Sequence, residues 1–318
     1  MKNGSILKKI TRDYIPLLLL LFLIIIFSIL SPVFFTPTNI LNVVFQVTIN
    51  GIMAIGMTFV IISGGFDLSI GYNMALSAIL AVTMQNYFGV VSACLIAIAS
   101  GIVVGLINGL LTSKAKINPL IATLGIYITL NGLILWYTKG YHYFPKYYEF
   151  TYISYGKLFY IPFPIWVFLL FIFIGYIVLS KTKYGKRVYA MGGDEEVCRI
   201  LGINVDLHKI SVYMISGFTS SISGIILASR ANCGTPEFGK HTMFLVIGAV
   251  VLGGTSLEGG IGGILNSIIG VFIFGIIQNG LGFLNVITYY HYIIWGLILL
   301  MVIIFDRYKT IKRRMLLS

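Results

Sequence analysis

The residue type best placed to do chemistry is a lone carboxylate. In Ser63-Gly64-Gly65-Phe66-Asp67-Leu68-Ser69-Ile70-Gly71, Asp67 is the only acidic residue between Tyr14 and Lys139. Paired glycines stop or unwind a helix, because they add backbone freedom and no packing. A carboxylate at such a break within apolar sequence is costly unless it caps a helix, finds a partner or lines a wet cavity. Two readings of Asp67 are open and compatible: an N-cap for a helix starting at Ser69, or a part in a translocation path or its coupling. The pattern GGxxLxxG recurs at Gly253-Gly254-Thr255-Ser256-Leu257-Glu258-Gly259-Gly260, 189 residues further on. Glycine-interrupted segments at matching places in two halves mark a transport path and suggest an internal repeat. No catalytic chemistry competes with that reading. There is no His/Glu metal cluster and no nucleophile–base set. Cys94, Cys198 and Cys233 lie far apart without CxxC spacing, so neither a metal site nor a disulfide framework is expected.

Neutral polar groups extend the candidate path. Asn108, Asn131, Asn266, Gln278 and Asn279 are amides within apolar sequence, and Thr123, Thr129 and Ser267 add hydroxyls. Such a lining suits a neutral polyhydroxylated solute better than an ion. Beside Asn108, Gly101, Gly105 and Gly109 form a GxxxGxxxG face, which lets helix backbones approach closely. Packing within the chain is the expected use, with a subunit interface next.

These residues must be held by membrane helices. Of 318 residues, 58% are hydrophobic and 10% charged, against about 25% charged in soluble domains. A helix needs about 20 apolar residues to cross the hydrocarbon core. The chain is therefore expected to be one all-α integral membrane domain, 1–318, with about ten spans. These lie near 14–34, 40–62, 69–87, 90–112, 119–138, 161–180, 209–230, 241–257, 260–282 and 288–305. The first is a retained span, too long for a signal-peptide core and followed by no cleavage site. With the N-terminus inside, only Lys139, Lys146, Lys157, Arg230 and Lys240 of the 22 Lys and Arg fall outside. That bias places both termini in the cytoplasm of a multi-pass cell-membrane protein. The net charge of +12 reads as topogenic charge beside lipid headgroups, and no contiguous basic face offers itself to nucleic acid.

Two loops stand out. The outer one, Lys139 to Pro164, is crowded with tyrosines, from Tyr141 to Tyr160. It reads as an interfacial aromatic belt or as a docking surface for an external partner. The inner one, 181–209, holds Gly193-Asp194-Glu195-Glu196-Val197-Cys198-Arg199-Ile200-Leu201-Gly202. Gly193 or Asp194 can cap, acids fill the first turn, Arg199 lies near the end and Gly202 follows, which are start and stop signals for a short helix. Val197, Ile200 and Leu201 share one face. A two-turn helix is unstable alone, so it rests on the ends of its own membrane helices or inserts into a groove on a cytoplasmic motor subunit. The motor is not on this chain. A phosphate loop needs GxxxxGK[ST], and the Gly-Lys pairs here precede Leu158, Arg187 and His241.

Four motifs then resemble a known family, the permease subunits of ribose/xylose/arabinose-type ABC importers. Gly64–Gly71 is similar to that family's GGIDLSVG. Gly105–Leu111 with Lys116–Gly125 resembles GxxNGxL…KIPPFIVTLG, and Gly185–Gly193 through Ile203 resembles GRRVYAIGGN…SGI. Leu252–Leu257 with Gly259 and Gly260 resembles LGGTSLxGG. The resemblance runs in order from about residue 40 to 306. It implies import of a monosaccharide through a pair of permease subunits, identical or different. It also implies ATP-binding cassette subunits that carry the ATP and magnesium, and an extracytoplasmic solute-binding protein. The 185–203 motif would carry the ATPase contact. One departure is Met243–Ala249, which lacks the acidic pair many relatives carry there. That leaves autoinducer-type furanosyl compounds and other pentose-like solutes open. A nucleoside-type ABC permease and a stand-alone secondary transporter are the alternatives, and the latter usually needs more intramembrane charge than Asp67 and Glu258 provide.

Overall fold

The computed structural model describes residues 2–314. The side chains of the terminal cations Lys2, Lys8, Lys9, Arg12, Lys309, Lys312, Arg313 and Arg314 lie outside the described set, as do residue 1 and residues 315–318 altogether. The chain is a helical bundle. Its first five helices are α1 (Lys2–Leu30), α2 (Pro37–Ile62), α3 (Ile70–Thr83), α4 (Gln85–Ser113) and α5 (Pro119–Thr138). A short helix α6 (Tyr152–Tyr155) and a hairpin, β1 (Lys157–Leu158) against β2 (Ile161–Pro162), lead to α7 (Phe163–Lys181). Two short helices follow, α8 (Lys183–Gly193) and α9 (Glu195–Ile200). The chain ends with α10 (Val205–Ala231), α11 (Thr242–Leu252), α12 (Ile264–Phe283) and α13 (Thr288–Arg314). Among the described residues six helices are long and apolar enough to cross a membrane: α2, α4, α5, α7, α10 and α12.

Two expected spans are shorter than read from hydropathy. The span placed at 69–87 is a helix only over Ile70–Thr83, and the one at 241–257 ends at Leu252. At 1.5 Å per residue, α3 rises about 21 Å and α11 about 17 Å, less than a hydrocarbon core of about 30 Å. The two shortfalls have different causes: α3 gives way after Thr83 to the turn that precedes Gly89, and the second glycine segment ends α11. Gly64 has φ +81° after α2 and Gly254 has φ +100° after α11, conformations that end a helix of L residues. Gly89, at φ 75° and ψ 175°, separates α3 and a short turn from the straight part of α4.

The surface of this bundle is apolar, and its mainly apolar interior holds a set of buried polar groups. Val91, Ile121, Ile128, Trp136 and Phe173 project outward from α4, α5 and α7, while Asp67, Asn73, Asn108, Ser216 and Ser220 are buried. Lipid tails give little hydrophobic drive between helices, so close packing and interhelical hydrogen bonds must hold them. The GxxxGxxxG face does this within the chain. A Cβ on Gly101 would overlap Ser221 and the Gly217 carbonyl of α10, one on Gly105 would overlap the Tyr213 carbonyl, and one on Gly109 would lie 2.6 Å from Ile210 Cα. Beside that contact Asn73 Nδ2 of α3 donates to Ser220 Oγ of α10 at 2.8 Å, and Ser223 Oγ of α10 donates to Ile49 O of α2 at 2.9 Å. The tyrosine-rich loop folds back onto the end of α10. Phe150 is fully buried there, and Ser154 Oγ donates to Ile226 O at 2.8 Å. Tyr141, Tyr148, Tyr152 and Tyr160 face outward.

Candidate functional site

The first glycine break is held by four elements. Asp67 is 1% exposed. Its Oδ1 accepts from Ser69 N at 3.0 Å, from Ser69 Oγ at 2.6 Å and, at the long distance of 3.5 Å, from Asn108 Nδ2 on α4. Its Oδ2 accepts from Ser216 Oγ on α10 at 2.6 Å. Asn108 Nδ2 also donates to Ser69 Oγ at 2.7 Å. The carboxylate thus sits at the N-terminus of α3, where backbone donors and the helix dipole favour negative charge. It binds the Ser69 main chain just ahead of α3 and at the same time bridges to two other helices. The α3 N-cap proper is Ser69, whose own side chain makes no cap bond. Thr123 on α5 closes the ring, accepting from Leu68 N at 3.1 Å. So Asp67, Ser69, Asn108 and Thr123 converge on one break.

Sequence reasoning missed two members. Ser216 supplies one of the two 2.6 Å contacts to Asp67, and Tyr213 one turn earlier donates its OH to Phe66 O at 3.1 Å. The available signal was the run Ser216-Gly217-Phe218-Thr219-Ser220-Ser221, too polar for a lipid face.

The second break lies against the first. Gly260 N donates to Ile62 O at 2.8 Å, linking the two segments directly. A Cβ at Gly259 would lie 3.0 Å from Gly64 Cα. Within it, Ser256 N donates to Ile261 O at 3.0 Å and Ser256 Oγ accepts from Glu258 N at 3.3 Å. Thr255 Oγ1 lies 3.3 Å from Ser267 Oγ, which accepts from Thr58 Oγ1 at 2.8 Å. Gly253 packs on the α12 backbone at Asn266. Asn279 stands apart from both breaks. It exchanges two 2.9 Å amide hydrogen bonds with Asn39, pinning the end of α12 to the start of α2.

The 181–209 segment reaches the same place. Asp194 caps α9, accepting from Val197 N at 3.0 Å, and Gly202 at φ +76° ends it. The preceding residues form a second short helix, α8, capped by Thr182, whose Oγ1 accepts from Gly185 N at 3.2 Å. Cys198 of α9 is buried against Met191 of α8 and Val205 of α10. Glu195 and Arg199 bind within the chain. Arg199 Nη2 donates to Glu195 Oε1 at 2.9 Å and to Asp206 Oδ1 at 2.7 Å, Asp206 also pairs with Lys114 at 3.0 Å, and Glu195 pairs with Lys209. Partial burial would raise the Glu195 carboxyl, but the hydrogen bonds from Lys209 and Arg199 outweigh it and hold it below the usual carboxylate range. Another face of α9 is exposed among the described residues. Val197 is 48% exposed, Ile200 84% and Leu201, just past the helix, 72%.

No metal-binding group of three or more His, Cys, Asp or Glu occurs among the described residues. A model of the family described as branched-chain amino acid transport system / permease component matches residues 39–303. The chain is 42% identical over 298 residues to the ribose import permease protein RbsC of Bacillus subtilis (strain 168), covering 93% of this chain and 92% of that one. It is 37% identical over 298 residues to RbsC of Escherichia coli (strain K12), with coverages of 92% and 93%. It is 35% identical over 317 residues to the L-arabinose ABC transporter permease protein AraH of Azospirillum brasilense, with coverages of 98% and 92%. No solved structure matches the chain. With nearly the full length of each relative covered and the glycine breaks inside the matched region, the chain belongs to this family of multi-pass membrane permeases, which includes ribose and arabinose ABC permease subunits.

Proposed function

We propose that the chain forms the translocation path of an ATP-driven importer for a pentose-like monosaccharide, and that partner subunits hydrolyse the ATP. The exposed apolar triad Val197, Ile200 and Leu201 is the observation that carries this reading. It sits on a helix fixed from behind by Cys198 and by the Lys114–Asp206–Arg199–Glu195–Lys209 chain of charges. A rigid, unpartnered apolar helix face suits insertion into a groove, and the groove belongs to an ATP-binding cassette subunit. Gly193, Asp194, Glu195, Arg199 and Gly202 shape and hold that helix, while the three apolar side chains make the contact.

In this reading the chain crosses the membrane ten times with both termini in the cytoplasm. The glycine breaks complete the crossings begun by α3 and α11. Asp67 positions the first break and does not touch solute, since its acceptor sites are taken by Ser69, Ser216 and Asn108. The solute class follows from the relatives named for ribose and arabinose. A second permease subunit and an extracytoplasmic binding protein complete the assembly. Cysteine placed at Val197 or Ile200 should cross-link to the co-expressed ATPase subunit. Labelling of those cysteines by an impermeant reagent from the external side would end the proposal.

A further inference from the structure

We infer that Gly192, at the end of α8, is a backbone relay that makes both glycine breaks move with the α8–α9 segment. The inference rests on the importer reading above and adds to it the residues that would transmit the motor's motion. Three stretches of main chain meet at Gly192 without side chains between them. A Cβ added there would overlap Ile62 O, the last carbonyl of α2, and Gly260 N of the second break, both of them backbone atoms that cannot rotate aside. Those two atoms are the donor and acceptor of the 2.8 Å hydrogen bond that joins the breaks. From the other side, a Cβ at Gly259 would lie 2.8 Å from Gly192 O and 3.0 Å from Gly64 Cα. One turn before Gly192, Tyr189 OH donates to Gly262 O at 2.8 Å, so α8 also holds the far end of the second break.

This node is continuous with the exposed helix. Met191, next to Gly192, packs on Cys198 of α9, behind the apolar triad. Close-packed interiors transmit displacement because they have no slack to absorb it. A force on Val197, Ile200 and Leu201 therefore reaches Gly192 through Cys198 and Met191. It then acts on the end of α2 and on the second break together. Gly64 (φ +81°), Gly259 (φ +85°) and Gly260 (φ +68°) give the two breaks the backbone freedom to follow.

The test uses the full assembly of permease, ATPase subunits and binding protein in proteoliposomes, with labelled ribose as probe and solute taken up per ATP hydrolysed as readout. Gly192→Ala should retain the Val197→Cys cross-link and ATP hydrolysis while lowering uptake per ATP by about tenfold or more, the usual size of a lost coupling. Tyr189→Phe, which removes one hydroxyl and keeps the packing, should lower it by about threefold, the worth of one neutral hydrogen bond. It decides the matter where Gly192→Ala does not accumulate in the membrane. Gly263→Ala is the control, since a Cβ there meets nothing within 4 Å. Uptake per ATP unchanged in Tyr189→Phe, or lowered as much by Gly263→Ala, would overturn the relay and leave the importer reading intact. A wild-type assembly with no ATP-dependent uptake would overturn the importer reading, and the relay with it.

Discussion

Replacing Asp67 separates its role as a local cap from its role as a bridge between helices. In Asp67→Ala three close donors lose their acceptor: Ser69 N, Ser69 Oγ and Ser216 Oγ. Each hydrogen bond to a charged group contributes about 1.5–3 kcal/mol, but the hydroxyls can rotate. Ser216 can turn to a carbonyl of its own helix, and Ser69 Oγ still has Asn108 beside it. The rigid main-chain donor Ser69 N is left unsatisfied in the interior, at about 1–3 kcal/mol. Adding a partial loss from the two hydroxyls gives about 3 kcal/mol, or a fall in Tm of about 5–10 °C by the usual scaling. Asp67→Asn keeps one acceptor oxygen for Ser69 and turns an amide donor toward Ser216, whose hydroxyl can accept, so its cost is about 1 kcal/mol. The assay pairs thermal unfolding of the purified protein in detergent with ATP-driven uptake in proteoliposomes. Alanine should lower both, and asparagine should spare most of the stability. Asp67→Ala with unchanged Tm and unchanged uptake would refute the bridging argument and reduce Asp67 to a replaceable cap.

Three other outcomes follow from the same geometry. Ile200→Glu alters a side chain that is 84% exposed, so folded stability should stay within about 0.5 kcal/mol while the ATPase subunits fail to co-purify. Gly105→Leu forces a large side chain into the Tyr213 main chain of α10. It should destabilise by about 3 kcal/mol or more, seen as aggregation on size exclusion. Glu195 has a folded pKa lowered from 4.5, so its ion pairs stabilise the protein fully above that value and stop doing so as pH falls through the folded pKa. The wild type should therefore exceed Glu195→Gln in Tm at pH 7, with the gap closing as pH falls below the usual carboxylate range. With the Glu195 side chain 37% exposed, that gap should be no more than about 1 kcal/mol.

Much of this was legible from residue order. Gly64-Gly65 and Gly253-Gly254 announced the two breaks, because glycine pairs end helices whatever surrounds them. The α9 limits were carried by Asp194 and Gly202, since capping is a local interaction. The GxxxGxxxG spacing announced a close helix contact, but its partner was hidden. That partner, α10, lies more than 100 residues away in sequence and is chosen by packing. Hydropathy overran α3 and α11 because a window of apolar residues does not register where the backbone turns. Ser216 and Tyr213 escaped for a related reason, since only tertiary structure tells which hydroxyls of a serine-rich helix face a buried carboxylate. Asn279 shows the converse. An amide in apolar sequence satisfies itself with whichever polar group is near, here Asn39.

The central claim is that this chain opens a path and another molecule supplies the energy. Uptake of labelled pentose into proteoliposomes, with the purified chain alone and then with its ATPase subunits, binding protein and ATP, tests it most directly. Accumulation above the external concentration only in the complete system is the predicted result; accumulation by the chain alone would contradict the account.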